Sequence, residues 1–390
     1  MKGQPVVGIQ PKVLKWARES IGKSLEDVAR TLKRPADEIE AWENGNRAPT
    51  YVQLEKLAYE VYKRPMAVFF FPIPPQESEP KSDFRTLPEE ELRELLPDTY
   101  LNIRRARAFQ ATLHELYGAK NPVSNPIWRN ITLYEKDSVK EQAAQVRTFL
   151  DISIKAQEKW TDDEEALKQW RFAVERAGIF VFKRAFRQKS ISSFCLSDEQ
   201  FPIIYLNNST TKTRQIFSLF HEMAHVLLRM NGLTKFDEKY IGMLPKREQR
   251  IEKFCNEFAA EILIPAEDFT KQADLLSSKI RNDADGVCQR FAKRYGVSRE
   301  VILRRFLDRG DISSTLYENT TRLWKGQQKT IKDGDGNYYN TQKAYLSDGF
   351  LREVFSRFYK RQITKDEAAE YLDIQPKYFN ALEEKMLWRT

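Results

Sequence analysis

The stretch Phe217–Met230, FSLFHEMAHVLLRM, sets His221 and His225 four residues apart with Glu222 beside the first. The 390-residue chain has only three histidines, the third being His114, so this spacing is a strong local signal. On an α-helix, residues i and i+4 lie about 40° apart around the axis, and both imidazoles leave the same face. Their nitrogens can converge on one ion, which for zinc means distances of about 2.0–2.1 Å. Glu222 is near enough to reach a water at that ion without ligating it, as in other H-E-x-x-H sequences. Phe217, Phe220, Ala224, Val226 and Leu227 make the helix largely apolar, as a site buried under a cleft requires.

A hydrolytic zinc site takes a third protein ligand and keeps one position open. His114 lies in HELYG, without a second histidine, and reads as an ordinary helix residue. Cys195, Cys255 and Cys288 are scattered and form no CxxC pair. A carboxylate is therefore expected, and the segment from Arg250 to Pro265, RIEKFCNEFAAEILIP, offers Glu252, Glu257 and Glu261. Glu252 shares a helix face with Asn256, and Glu257 with Glu261, so spacing does not choose among them.

HEMAH followed by EKFCNEFAAEILIP resembles the ImmA/IrrE family of metallopeptidases, whose second helix reads roughly E-x-x-A-N-x-F-A-A-x-L-L-x-P. Glu252, Asn256, Phe258, Ala259, Ala260, Leu263 and Pro265 fall on that pattern, and Cys255 stands where alanine is usual. The resemblance covers about 75 residues once FPIIYLNN and TKTRQIFSLFHE are included. It implies Glu252 as the third metal ligand, one Zn2+ per chain and Glu222 as the catalytic base. The chemistry would be metal-assisted hydrolysis, with zinc acidifying a water and polarising the scissile carbonyl. In zinc peptidases of this kind the substrate backbone pairs with an edge strand beside the metal helix. FPIIYLNN is the candidate strand, with Ile204 and Tyr205 as substrate-binding residues; Tyr205 and Tyr240 are the tyrosines considered for the oxyanion. Cys195, on a neighbouring strand, is considered as a thiolate latch on the open metal position.

Residues 10–72 read as five short helices. Pro11 opens the first, Ser24 and Asp27 have capping-box spacing, and Asn44-Gly45 ends the third. The LEDVARTL, IEAWENGNRAPT and QLEKLAYEVYKRP stretches resemble an XRE (lambda-repressor-like) helix-turn-helix domain. In that fold the third helix lies in the major groove. Here it is PADEIEAWENG, with Asp37, Glu38, Glu40 and Glu43 and no basic residue. Four carboxylates facing phosphates would repel them, which favours protein docking or dimerisation over base reading. Basic charge gathers instead at 286–310, where seven arginines and lysines between Gln289 and Arg309 oppose Glu300 and Asp308.

The expected fold class is α+β, mainly helical. A five-helix helix-turn-helix domain at 10–72 and a Pro-rich linker at 73–90 precede a zincin-like core at 91–270, a small sheet plus the HExxH helix. A helical region follows at 271–390, with a helix-turn-helix-like unit at 286–310 and a hairpin turn at KDGDGNYYN. Thr364 and Glu367 have capping-box spacing near the end. Hydrophobic content of 41% with 31% charged residues fits a globular chain, and the net charge of +8 permits a nucleic-acid partner without requiring one. No apolar run approaches the roughly 18 residues a membrane span needs. The first residues lack a secretory signal and the cysteines suit a reducing compartment, so a cytoplasmic location is expected.

The functional expectation is a zinc-dependent endopeptidase with a fused helix-turn-helix module. What the resemblance implies is cleavage of a helix-turn-helix repressor in a stress-response or mobile-element circuit. DNA and a second copy of the chain are further partners compatible with this reading, and a membrane is not. The alternative is a DNA-binding regulator or antitoxin whose peptidase-like core serves as sensor or scaffold.

Overall fold

The computed structural model describes residues 4–76, 84, 87–88, 90–91, 94–118, 120–235, 238–327 and 344–387. The chain packs as two units, one of Met1–Arg107 with Phe186–Ser190, the other of Ala108–Ala185 with Ile191–Thr390. The hairpin expected at KDGDGNYYN lies outside the described residues, as does much of the segment 77–93.

The first unit begins with α1 (Pro11–Glu19), α2 (Leu25–Leu32), α3 (Ala36–Glu43) and α4 (Tyr51–Lys56). A π-helical turn, Leu57–Val61, continues α4, and a 3-10 turn follows at Met66–Phe70. The capping box is formed as its spacing predicts: Ser24 Oγ accepts from the Asp27 N–H at 3.1 Å, and the Asp27 carboxylate accepts from the Ser24 N–H at 3.2 Å. Lys33 ends α2 in the left-handed region, φ 55°, which lets the chain turn directly into Pro35 and α3. Val13, Leu14, Ala17, Val28, Ile39, Trp42 and Leu54 are buried together.

One expectation for α3 is corrected here. Glu43 points inward, where its two oxygens accept from Nε and Nη2 of Arg18 on α1, each at 2.8 Å. Glu38 accepts from the Gln53 amide at 3.3 Å. The fully exposed acids of this helix are thus Asp37 and Glu40, not four carboxylates.

The second unit is built on a four-stranded sheet: β1 (Phe180–Arg184), β2 (Ile191–Leu196), β3 (Ile203–Asn207) and β4 (Gly232–Lys235). Their order is β1-β3-β2-β4, with β1 and β3 parallel and the other pairs antiparallel. α5 (Pro97–Tyr117), whose first part belongs to the other unit, supplies Phe109, which stacks on Phe182 with centroids 4.5 Å apart. α6 (Val139–Leu150) and α7 (Asp163–Arg176) lie ahead of the sheet in sequence, and α8 (Lys212–Leu227) leaves β3. α9 (Lys246–Leu263) packs along α8.

Alternation along the strands sorts two layers. Val181, Cys195, Ile204 and Leu206 join the core that includes Leu219, Phe220 and Met223 of α8. Phe182, Phe194 and Tyr205 stack on the opposite face. Here the sequence expectation for FPIIYLNN fails. β3 is an inner strand, hydrogen-bonded by β1 on one side and β2 on the other, so Ile204 and Tyr205 have no free backbone edge for a substrate. Among the described residues the outer strands are β1 and β4.

The following helices belong to the same body. α10 (Ala266–Asp274), α11 (Ala284–Tyr295), α12 (Arg299–Asp308) and α13 (Ser314–Gln327) bring Phe269, Val287, Phe291, Leu303, Phe306 and Trp324 into the core shared with α8. α14 (Asp348–Tyr359), α15 (Lys365–Tyr371) and α16 (Phe379–Leu387) close the chain, and the Thr364–Glu367 capping box is formed. The basic charge at 286–310 is largely neutralised. Arg294 pairs with Asp268, Arg299 with Asp285, Arg304 with Asp308, Arg305 with Glu261 and Arg309 with Asp274. Arg290 and Lys293 remain exposed.

Candidate metal centre

Helix α8 starts at a Thr211 cap, whose side chain accepts from the Arg214 N–H at 3.3 Å. It contains neither glycine nor proline, so its register carries His221, Glu222 and His225 unbroken into the interior. α9 follows Pro245 and ends just before Pro265. Because α9 lies along α8, one turn of it, Glu252 to Asn256, faces the turn from His221 to His225.

Three side chains converge there. The two histidine Nε2 atoms are 3.2 Å apart, and they lie 3.3 Å (His221) and 3.2 Å (His225) from the Glu252 carboxylate. Ligands at zinc-like bond lengths around a tetrahedral centre are separated by about 3.3–3.4 Å. His221 faces one carboxylate oxygen and His225 the other, and a donor from each of the three residues lies within 4.8 Å of the others, close enough for one ion to be shared. His221, His225 and Glu252 are each 1% exposed or less. Among the described residues, Oε1 of Glu252 and Oε2 of Glu222 are buried without a hydrogen-bond partner. Bare buried carboxylate oxygens are costly unless an ion or a water meets them, so the donor set fits a divalent metal.

The surroundings orient the donors. Nδ1 of His221 donates to Oδ1 of Asn256 at 2.9 Å, which leaves Nε2 as the lone-pair atom. The Tyr240 hydroxyl donates to Oε2 of Glu252 at 3.0 Å. Burial alone would raise the Glu252 carboxyl; His225 and His221 outweigh it and hold that group well below the usual carboxylate range. Burial, then the charge of Glu252, pushes the Tyr240 phenol up.

The structure chooses among the three glutamates that spacing left open. Glu257 is exposed. Glu261 is engaged elsewhere, pairing with Arg305 at 3.0 Å and accepting from the Ala266 N–H at 2.8 Å. Glu252 alone joins the histidines. His114 lies 3.2 Å from Asp198, away from the cluster.

Cys195 does not occupy a metal position. Its sulfur accepts from the Gly232 N–H at 3.2 Å, and burial together with Glu222 pushes the thiol well above its ordinary range, against the thiolate a latch needs. Tyr205 sits in the aromatic layer across the sheet and cannot reach the cluster, whereas Tyr240 touches it.

Sequence reasoning missed three residues. Ser193 Oγ and Thr234 Oγ1 each donate to Oε1 of Glu222 at 2.7 Å. Gly232 passes so close that a Cβ there would lie 2.5 Å from Cδ2 of His225 and 2.8 Å from Oε2 of Glu222. The one available signal was the Ser192-Ser193 pair inside an otherwise apolar strand.

Residues 174–307 match the peptidase family described as the IrrE N-terminal-like domain. Over 72 residues the chain is 38% identical to the radiation response metalloprotease IrrE of Deinococcus deserti, an alignment covering 18% of this chain and 25% of that protein. The chain thus spans about a quarter of the length of the curated relative it matches. Residues 174–307, which hold the whole His221–His225–Glu252 cluster, are supported as an ImmA/IrrE-type metallopeptidase domain.

Proposed function

We propose that this chain is a zinc-dependent endopeptidase that cleaves a protein substrate. The observation that carries the reading is the convergence of His221, His225 and Glu252 with Glu222 held beside them on one helix. His221 and His225 would hold the ion through Nε2 and Glu252 through its carboxylate; two imidazoles and a carboxylate suit zinc. When bound, the ion supplies Lewis acidity toward a water and the scissile carbonyl. Glu222 takes the proton of the attacking water on its free Oε2 and delivers it to the leaving amine as the C–N bond breaks. Asn256 and Tyr240 keep the two kinds of ligand oriented. On the side of the sheet nearest the site the outer strand is β4, so a substrate backbone adding to the sheet would pair there.

The first unit is proposed as a helix-turn-helix module. Support comes from the short helices α1–α4 and the tight α2–α3 turn. Its part would be to dock a helix-turn-helix repressor, the proposed substrate, with DNA or a second copy of the chain as further partners in the cytoplasm. One observation favours a second reading, a regulator or antitoxin whose core is a sensor. Glu222 and the three metal-site residues are all 1% exposed or less, as a non-catalytic metal site would be.

One experiment separates these readings. New protein N-termini are compared in cells carrying the wild type and Glu222→Gln, before and after DNA damage. A cut found only with the wild type, inside a helix-turn-helix protein, is the expected result. Identical profiles from two zinc-replete proteins would reject the peptidase and leave the sensor.

A further inference from the structure

Glu222 is held from the sheet rather than from its own helix. Ser193 and Thr234 are direct partners across the β2–β4 ladder, so their side chains stand side by side. Both hydroxyls donate to the same oxygen, Oε1, at 2.7 Å, and both residues are buried. The other oxygen, Oε2, is fully buried and has no hydrogen-bond partner among the described residues.

A local irregularity builds this arrangement. Successive residues of a strand point to opposite faces, so Ser192 and Ser193 should diverge. The β2–β4 register instead shifts between Ile191 and Ser193, placing an extra residue in β2. Ser192 therefore also reaches α8, where its hydroxyl accepts from Arg214 at 3.0 Å. Bulges of this kind re-aim side chains beside functional sites.

A carboxylate buried only for structure would be expected to have donors on both oxygens. Here both hydroxyls converge on one oxygen and leave the other without a hydroxyl partner, against Gly232 and near the Cys195 thiol. Two hydroxyls on Oε1 fix the rotation of the carboxylate and so the direction of Oε2.

We propose that Ser193 and Thr234 are positioning residues that clamp Glu222 through Oε1 so that Oε2 stays free as the proton acceptor. The inference rests on the peptidase reading, so the test includes a variant that probes that reading alone. The full-length protein is loaded with cobalt(II), and its affinity for acetohydroxamate is read from the visible spectrum at fixed pH. This probe chelates the ion through two oxygens and donates a hydrogen bond to an adjacent carboxylate. No substrate needs to be known.

Ser193→Ala combined with Thr234→Val weakens acetohydroxamate about tenfold or more, the scale of one charge-assisted hydrogen bond. Metal content stays at one ion per chain. Thr234→Ser alone, which keeps the hydroxyl, binds within about twofold of the wild type, well inside the loss of one hydrogen bond. Loss of metal from the double variant would make the pair structural and overturn the role. So would a Thr234→Ser variant as weak as the double variant, because packing rather than the hydroxyl would then matter. Undiminished binding by Glu222→Gln overturns the peptidase reading and the clamp with it. A weakened Glu222→Gln beside an unchanged double variant overturns the clamp alone.

Discussion

Nδ1 of His221 donates to Oδ1 of Asn256 across 2.9 Å, tying the histidine helix to the next helix one turn beyond Glu252. This bond fixes which imidazole nitrogen is free for a metal. Asn256→Ala is expected to weaken zinc roughly 10- to 100-fold, the usual cost of losing such an outer partner. Competition with a chromophoric chelator measures it, and affinity equal to the wild type would show that the ring is held by packing alone.

Gly232 is the second point of contact with the same ring. A Cβ at 2.5 Å from His225 and 2.8 Å from Glu222 is closer than van der Waals contact allows, so β4 or α8 must yield. Gly232→Ala should cost about 1–3 kcal/mol, as overpacking does, and reduce zinc per chain. Urea unfolding and metal analysis of the purified variant give both numbers. Full zinc occupancy with unchanged stability would mean that β4 moves freely over the site.

Lys183 on β1 is 4% exposed, and burial, then the charges of Arg171 and Lys212, pull its ammonium down to about 7 from 10.5; Glu164 opposes this in part. The unfolded chain therefore binds the extra proton between those values, and stability rises with pH across that window. Below about pH 7 both states carry the proton and the full penalty of a buried charge remains. Lys183→Met should be more stable than the wild type at pH 7 by on the order of 4 kcal/mol, and the gap should close toward pH 10. Melting curves at pH 6, 7, 8.5 and 9.5 test this; parallel curves for the two proteins would refute it.

Arg18 and Glu43 join α1 to α3 through two 2.8 Å hydrogen bonds, with side chains only 12% and 5% exposed. Removing one partner strands the other charge in the interior, which typically costs about 3–5 kcal/mol. Glu43→Ala should lower the stability of the first unit on that scale, and Arg18→Met with Glu43→Leu should recover much of it. A single variant as stable as the wild type in far-ultraviolet circular dichroism melts would count against a buried pair.

The features legible beforehand share a local cause. The His221–His225 face, the Ser24–Asp27 box and the Thr364–Glu367 box each depend on residues three or four apart on a helix, and all three are formed. The choice of Glu252 came from a resemblance and not from spacing, since Glu257 and Glu261 had equal local claims. Tertiary contacts separate them: Arg305 engages Glu261, and Glu257 faces outward.

The sequence by itself determined that α8 would carry two histidines on one face with Glu222 beside them, because helix periodicity is written in residues a turn apart. Only the tertiary structure decided that β3 lies inside the sheet, so that Ile204 and Tyr205 have no open edge. It also decided that acids from other helices neutralise most of the basic run at 286–310, and that Ser193 and Thr234 meet Glu222. Strand order, ion-pair choice and the partners of a buried carboxylate are contacts between residues remote in the chain. No local pattern encodes them, and they exist only once the core has brought those segments together.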